Sequence, residues 1–210
     1  MFSLAALTPF FFAGAVGFSH AFEADHLIAV SSIVSKRKQV MHAIRDGIFW
    51  GLGHTSTILL IGIIMIIGRV HIPEAGFQWL EALVGIMLVG LGIFRLVKGF
   101  NQESEAHGHS HPHKPGLAYG VGAIHGLAGS GALILLVMTE LQGSMSMMGY
   151  LVTFGLGSIV GMMLAAGLFS LPTTQLMLNK KRIRNAAVIL SSTLCIGYGF
   201  WLAGSSLGAW

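Results

Sequence analysis

The sequence predicts an all-α integral membrane protein of six transmembrane helices, arranged as two inverted three-helix repeats. Composition supports a membrane protein, because 54% of the 210 residues are hydrophobic and only 10% are charged. A soluble domain carries about 25% charged residues, so this chain lies outside the soluble class. The mean hydropathy of +0.76 agrees. Two further observations support this fold: the chain has six long apolar segments, and its two halves resemble each other.

Each of the six apolar segments has about 20 residues or more, the length that crosses the hydrocarbon core of a bilayer. Helix is the expected structure for each segment, because a helix satisfies its own backbone hydrogen bonds in lipid. The predicted spans are residues 8–34, 47–68, 79–99, 117–139, 147–171 and 186–208.

Basic residues between the spans predict the orientation. Of the 12 Lys and Arg residues, all but Arg69 lie in or beside the connections that follow spans 1, 3 and 5, with Arg95 and Lys98 in the last turns of span 3. The positive-inside rule places these three connections in the cytoplasm. We therefore expect a multi-pass protein of the cell inner (plasma) membrane with both termini outside. Because the basic residues serve topology, the sequence pI near 9.5 does not indicate nucleic-acid binding.

The two halves of the chain resemble each other. Three matches occur in the same order, at offsets of 105, 104 and 107 residues: Gly17–His20 with Gly122–His125, Phe49–His54 with Phe154–Ser158 after one deletion is allowed, and Gly90–Phe94 with Gly197–Phe200. Since each unit has three spans, an odd number, the second unit must be inverted relative to the first, as in many transporters. The expected units are a first repeat (1–100), a His-rich cytoplasmic loop (101–116) and a second repeat (117–210).

The segment His20–His26 places two imidazoles and two carboxylates inside the first span. An ionisable side chain at membrane depth costs about 2.5–17 kcal/mol, depending on the reference state. A bound cation is the simplest compensation for four such groups. In an ideal helix His20, Glu23 and His26 lie within an arc of about 120°, and Asp25 points away. Either Asp25 orients an imidazole without ligating the ion, or a π-bulge or unwound stretch distorts the helix here.

Two later spans contribute one further imidazole each, and each of these histidines alone would more often be a helix-packing residue. Together with the first cluster they indicate a shared metal site. Imidazole with carboxylate suits Ni²⁺, Co²⁺ or Zn²⁺, whereas Mg²⁺ and Ca²⁺ prefer oxygen ligands. No cysteine lies nearby in the sequence, which argues against a Cu(I) site. The candidate metal-binding residues are His20, Glu23, Asp25, His26, His54 and His125.

The connection between spans 3 and 4 carries four histidines at alternate positions, in a segment that also contains Pro and Gly. Such a segment can wrap around a transition metal, but it binds weakly and without fixed geometry. We expect an accessory metal-capturing loop formed by His107, His109, His111 and His113.

The segment His20–His26 resembles the H-x4-D-H signature of the nickel/cobalt transporter family, and Gly51–Ser56 resembles that family's second histidine motif. The segments His125–Leu133 and Phe154–Met162 are similar to the shorter, six-helix members, the urease-accessory type nickel permeases. The resemblance implies that metal recognition involves His20, Asp25, His26 and His54, with Glu23 at the family's acidic position. Related efflux proteins also have a His-rich loop, so the resemblance leaves the direction of transport open.

These features predict a permease that moves Ni²⁺ or Co²⁺ as its substrate, with no prosthetic group. We expect uptake, with efflux of the same metals as the alternative and a non-transporting metal sensor as a less favoured one. An enzyme is disfavoured, because the sequence has no H-E-x-x-H motif and no recognisable nucleophile beside a base. The expected partners are the metal ion and the lipid bilayer, not nucleic acid. Cytoplasmic metallochaperones or metalloenzyme assembly proteins are further candidates.

Overall fold

The computed structural model describes residues 4–34, 39–70, 72–101, 116–177 and 181–208. Every regular element in these residues is helical, as the sequence predicts. The helices are α1 (Leu4–His20), α2 (Ala24–Val34), α3 (Val40–Gly62), α4 (Glu74–Asn101), α5 (Gly116–Glu140), α6 (Ser144–Met177) and α7 (Lys181–Ser206). A π-helical turn, Ile63–Ile67, continues α3.

Four helices among the described residues are long and apolar enough to cross a membrane: Val40–Ile67, Ala75–Val97, Ser144–Leu171 and Asn185–Ser206. Ala24–Val34 and Gly116–Ala128 are shorter apolar helices. Large apolar side chains also cover the outer surfaces of the long helices; examples are Leu60, Ile86 and Leu168, each more than half exposed. A soluble monomer rarely exposes so large an apolar surface, so the outside of the bundle is suited to lipid.

The first predicted span is not one helix. The segment predicted as 8–34 is interrupted after His20, and α2 begins at Ala24. The amides of Phe22 and Glu23 donate to the carbonyls three residues earlier, which ends α1, and the Glu23 carbonyl accepts the first bond of α2 from Leu27 at 2.9 Å. The prediction of one continuous helix over residues 8–34 was therefore wrong. Of the two distortions considered for this span, a π-bulge and an unwound stretch, the structure contains the unwound stretch.

Helix α3 lies at the centre and packs against α5 and α6, whereas α1 lies on α6 and α4 pairs with α7. Glycines allow these close approaches. A Cβ on Gly17 of α1 would overlap the carbonyl oxygen of Phe154 in α6. Likewise, a Cβ on Gly122 of α5 would overlap the carbonyl oxygen of Trp50 in α3. The backbones therefore touch at these two points.

The two glycine contacts are related by a nearly constant offset, since Gly122 lies 105 residues after Gly17 and Phe154 lies 104 after Trp50. A second pair behaves in the same way. A Cβ on Gly53 would overlap the carbonyl of Tyr119, and one on Gly157 would overlap the carbonyl of Gly14, with the same two offsets. These contacts between α3 and α5 thus have counterparts between α6 and α1.

Candidate metal centre

The unwound stretch between α1 and α2 positions the first group of candidate residues. His20 is the last residue of α1, Glu23 lies in the turn, and Asp25 and His26 lie in the first turn of α2. Backbone that departs from helix at membrane depth is tolerated where it is buried in protein or lines a cavity, and such interruptions are typical of transport sites. The break turns Asp25, which an unbroken helix would have directed elsewhere, toward the other candidate residues.

Three imidazoles, those of His20, His54 and His125, gather around the ring of His26. Its ring centroid lies 4.6 Å from that of His20, 5.2 Å from that of His54 and 4.6 Å from that of His125. His20 and His54 are 5.3 Å apart by the same measure. His54 comes from the middle of α3 and His125 from α5, and the rings of His26, His54 and His125 are buried. The packing of α3 against α5 therefore completes a cluster that begins at the helix break.

The two carboxylates each contact an imidazole. Asp25 Oδ1 accepts hydrogen bonds from the His26 backbone amide at 2.8 Å and from the ring Nδ1 at 2.9 Å. Glu23 Oε1 lies 2.8 Å from His20 Nδ1. Both contacts use Nδ1 and leave Nε2 of the same ring for another partner, as in carboxylate–histidine–metal arrangements. The second Asp25 oxygen lies 3.4 Å from His125 Nε2.

The remaining ring nitrogens of the cluster are buried and have no hydrogen-bond partner among the described residues: Nε2 of His20, Nε2 of His26, both nitrogens of His54 and Nδ1 of His125. A buried polar atom left unsatisfied costs about 1–3 kcal/mol. Several such atoms side by side are therefore unfavourable unless something binds them together.

The ligand atoms form two overlapping groups that share His26. One group is His20, His26 and His54, and the other is Asp25, His26 and His125; within each, all ligand atoms lie within 4.8 Å of one another. Imidazole nitrogens bind Zn²⁺ at about 2.0–2.1 Å, so two ligands of one ion of this size are at most about 4.2 Å apart. An inward movement of less than about 1 Å would allow either group to hold a first-row metal ion.

Comparison with known proteins places the chain in a family. It is 36% identical over 195 residues to urease accessory protein UreH of Bacillus sp. (strain TB-90), covering 88% of this chain and 85% of the relative. The chain belongs to the UreH family of urease accessory proteins. This is the branch of the nickel/cobalt transporter family that its histidine motifs resemble. No protein-family model matches the chain, and no solved structure matches it.

Membership in the UreH family agrees with two expectations from the sequence. The name of the relative describes an accessory protein and not an enzyme, in line with the expected absence of catalytic activity. The apolar helices, together with this relationship, identify a multi-pass membrane protein.

Six predicted site residues of this UreH-family chain meet in the structure. His20, Glu23, Asp25, His26, His54 and His125 lie together around the helix break. The accessory loop with His107, His109, His111 and His113 lies outside the described residues.

Two aromatic neighbours of the cluster are not among the residues predicted from the sequence. The Trp50 ring lies 5.5 Å from His26 and 5.8 Å from His125, and the Phe154 ring lies 5.5 Å from His20. A tryptophan near a predicted span end is typical of an interfacial anchor, but Trp50 is 1% exposed and lies inside the bundle. The signal that could have found both residues is the internal repeat, since Trp50 and Phe154 are 104 residues apart.

Proposed function

We propose that this chain is a nickel permease that takes Ni²⁺ across the cell inner membrane through the buried imidazole cluster, with Co²⁺ as a second substrate. The observation that carries the proposal is the group of buried, unpartnered ring nitrogens in the core of an apolar helical bundle. Imidazole suits divalent nickel and cobalt, and a Mg²⁺ or Ca²⁺ site would be built from oxygens. Kinship with a urease accessory protein favours nickel, and suggests that the ion goes to cytoplasmic proteins that assemble a metalloenzyme.

Within the cluster, we assign the first metal position to Nε2 of His20, Nε2 of His26 and one nitrogen of His54. Glu23 and Asp25 hold the rings of His20 and His26 through Nδ1 and supply negative charge close to the ion. The second group, Asp25, His26 and His125, offers the ion an adjoining position. His26 belongs to both groups, so an ion can pass between them while it keeps one ligand.

The proposed architecture is six spans in two inverted repeats, 1–100 and 117–210, joined by the His-rich loop 101–116. Helices α1 and α2 together, and α5, supply the two spans beyond the four long apolar helices. The reciprocal glycine contacts support the repeat, since two contacts between α5 and α3 recur between α1 and α6. Inverted repeats commonly hold the substrate near the midplane where they meet, and the cluster lies at such a junction.

The proposed orientation has both termini outside and the basic connections in the cytoplasm. Efflux and metal sensing remain the competing functions, and neither is favoured by a feature of the described residues. A sensor binds the ion but does not move it, whereas an efflux protein moves it in the opposite direction.

The test is Ni²⁺ flux into proteoliposomes in which the orientation of the protein has been determined, followed for wild type and for His20→Ala and His54→Ala. We expect flux in wild type and its loss in both variants. His42→Ala is the matched control, because His42 lies near the start of α3, three turns before His54, and is not part of the cluster. Stoichiometric binding without flux would overturn the permease proposal and favour a sensor. Flux only toward the outside would favour efflux.

A further inference from the structure

Two large aromatic side chains adjoin the imidazole cluster, one at each end. Trp50 of α3 lies beside His26 and His125, and Phe154 of α6 lies beside His20, all with ring centroids 5.5–5.8 Å apart. Both aromatic residues are almost completely buried, at 1% and 2% exposure. Each is therefore packed between the cluster and the rest of the bundle.

The order of contacts between α3 and α6 places the two rings at different depths. The helices are antiparallel, because Gly51 meets Ile159 and Thr55 meets Gly155. In this register Phe154 is level with position 56 of α3, so at a rise of about 1.5 Å per residue Trp50 and Phe154 are separated along the helix axes by about 9 Å. His54 lies between those two levels, about 6 Å beyond Trp50 along α3. The rings thus face the cluster from opposite sides along the helix axes.

The backbone carbonyls of the two aromatic residues make equivalent contacts with a glycine of a neighbouring helix. The Trp50 carbonyl rests on Gly122 of α5, and the Phe154 carbonyl rests on Gly17 of α1. In the proposed inverted repeat Trp50 and Phe154 are therefore counterparts, and inversion places counterparts on opposite sides of the midplane. Two observations therefore place Trp50 and Phe154 on opposite sides of the cluster. One is their difference in depth along α3 and α6, and the other is their equivalence in the proposed repeat.

We propose that Trp50 and Phe154 are the two barriers of the transport pathway. Trp50 closes the cluster toward the membrane face at which α3 begins, and Phe154 closes it toward the face at which α6 begins. The inference rests on the proposed permease function and adds the residues that separate the ion from each side.

An aromatic ring blocks a hydrated cation because the ion would have to shed water against an apolar surface. Alternating access requires that one barrier opens while the other stays closed. The Trp50 indole N–H is buried and has no hydrogen-bond partner in the part of the chain that the structure describes, so no polar contact from those residues holds this ring in place. Phe154 has no polar group at all. Both rings can leave the closed position without breaking a hydrogen bond of their own side chains.

The experiment measures from which side a cysteine inside the cluster can be reached. The reporter is His54→Cys in a Cys195→Ser background, which removes the native cysteine. The probe is a membrane-impermeant, positively charged methanethiosulfonate, applied to each face of oriented vesicles in the absence of nickel. The faces are identified separately by Gln39→Cys at the start of α3 and Met145→Cys at the start of α6, both at exposed positions.

We expect Trp50→Ala to raise the labelling rate of the reporter from the face marked by Gln39→Cys, and Phe154→Ala from the face marked by Met145→Cys. A protein with two conformations populates the minor one to about 0.1–10%, so removal of a barrier should accelerate labelling by about tenfold or more. Trp79→Ala and Phe169→Ala, which truncate aromatic residues at exposed positions of α4 and α6, should leave both rates unchanged.

Equal acceleration from both faces, acceleration from the wrong face, or no acceleration in a folded variant would each overturn the assignment. Should an alanine variant fail to fold, Trp50→Leu and Phe154→Leu fill more of the space while they shorten the barrier, and the same side-specific result is expected. Because labelling is measured without nickel, failure here contradicts the barriers alone. The permease proposal fails by a separate measurement, which is the absence of nickel flux through the wild-type protein.

Discussion

The segment α1–turn–α2 and helix α5 make comparable contacts, yet only the first is interrupted. Gly17 of α1 lies against the backbone of Phe154, and Gly122 of α5 lies against the backbone of Trp50. Three residues after each glycine comes a histidine, His20 or His125. Beyond that histidine α1 ends in a turn, whereas α5 continues as regular helix to Glu140.

This difference shows that the break is not required by packing. The residues that follow His125 are small or apolar, Gly126, Leu127 and Ala128, and they keep their helical hydrogen bonds. In the first half the corresponding stretch leads into Glu23, Asp25 and His26, and the turn brings Asp25 toward His26 and His125. The interruption therefore serves the polar cluster, on a packing framework that both halves share.

The largest expected effect comes from the shared framework. In Gly17→Ala and Gly122→Ala the new Cβ would overlap a backbone carbonyl oxygen, which cannot move away as a side chain can. Overpacking typically costs about 1–3 kcal/mol, and a backbone clash should reach the upper end of that range. We expect both variants to lower the Tm of the detergent-solubilised protein, by similar amounts if the two contacts are equivalent.

The matched control for that pair is Gly120→Ala. A Cβ on Gly120 meets nothing within 4 Å, and this glycine lies in the same helix as Gly122. Alanine is favoured over glycine in a helix by about 0.8–1.0 kcal/mol, so the control should be neutral or slightly stabilising. A strongly destabilised Gly122→Ala beside an unaffected Gly17→Ala would break the comparison between the two halves.

A smaller effect distinguishes the two carboxylates of the interrupted segment. Asp25→Asn removes the charge that holds His26, and loss of such a partner typically lowers metal affinity by about 10–100-fold. Glu23 contacts His20, but its side chain is 57% exposed. Exposed ion pairs contribute about 0.2–1 kcal/mol, so Glu23→Gln should lower affinity by no more than about fivefold. Calorimetric titration with Ni²⁺ measures the affinity of each variant. A larger loss of affinity in Glu23→Gln than in Asp25→Asn would assign the main electrostatic role to Glu23.

Much of this site could be predicted from the sequence, because ionisable residues in an apolar span have few interpretations. His20, Glu23, Asp25, His26, His54 and His125 were all chosen on that ground, and the structure brings them together. The helix break could be stated only as one alternative, since an ideal helix with Asp25 in a supporting position satisfied the same residues. The place of Trp50 beside the cluster could not be predicted, because its burial depends on the contact of α3 with α5, which no local pattern encodes.

The smallest expected effect concerns how α2 is held once it is separated from α1. The Cys195 thiol of α7 donates to the Ile28 carbonyl at 3.4 Å, and the Arg95 guanidinium of α4 donates to the Ile33 carbonyl. Serine at position 195 can make the same donation, and a hydrogen bond contributes about 0.5–1.5 kcal/mol net. Cys195→Ser should therefore change the free energy of unfolding by less than about 1 kcal/mol and leave nickel flux intact. Cys195→Ala, which has no donor, should weaken the attachment of α2 more than the serine does. If alanine and serine behave alike in Tm and flux, the thiol contact does not anchor α2, and Arg95 becomes the side chain on which its position depends.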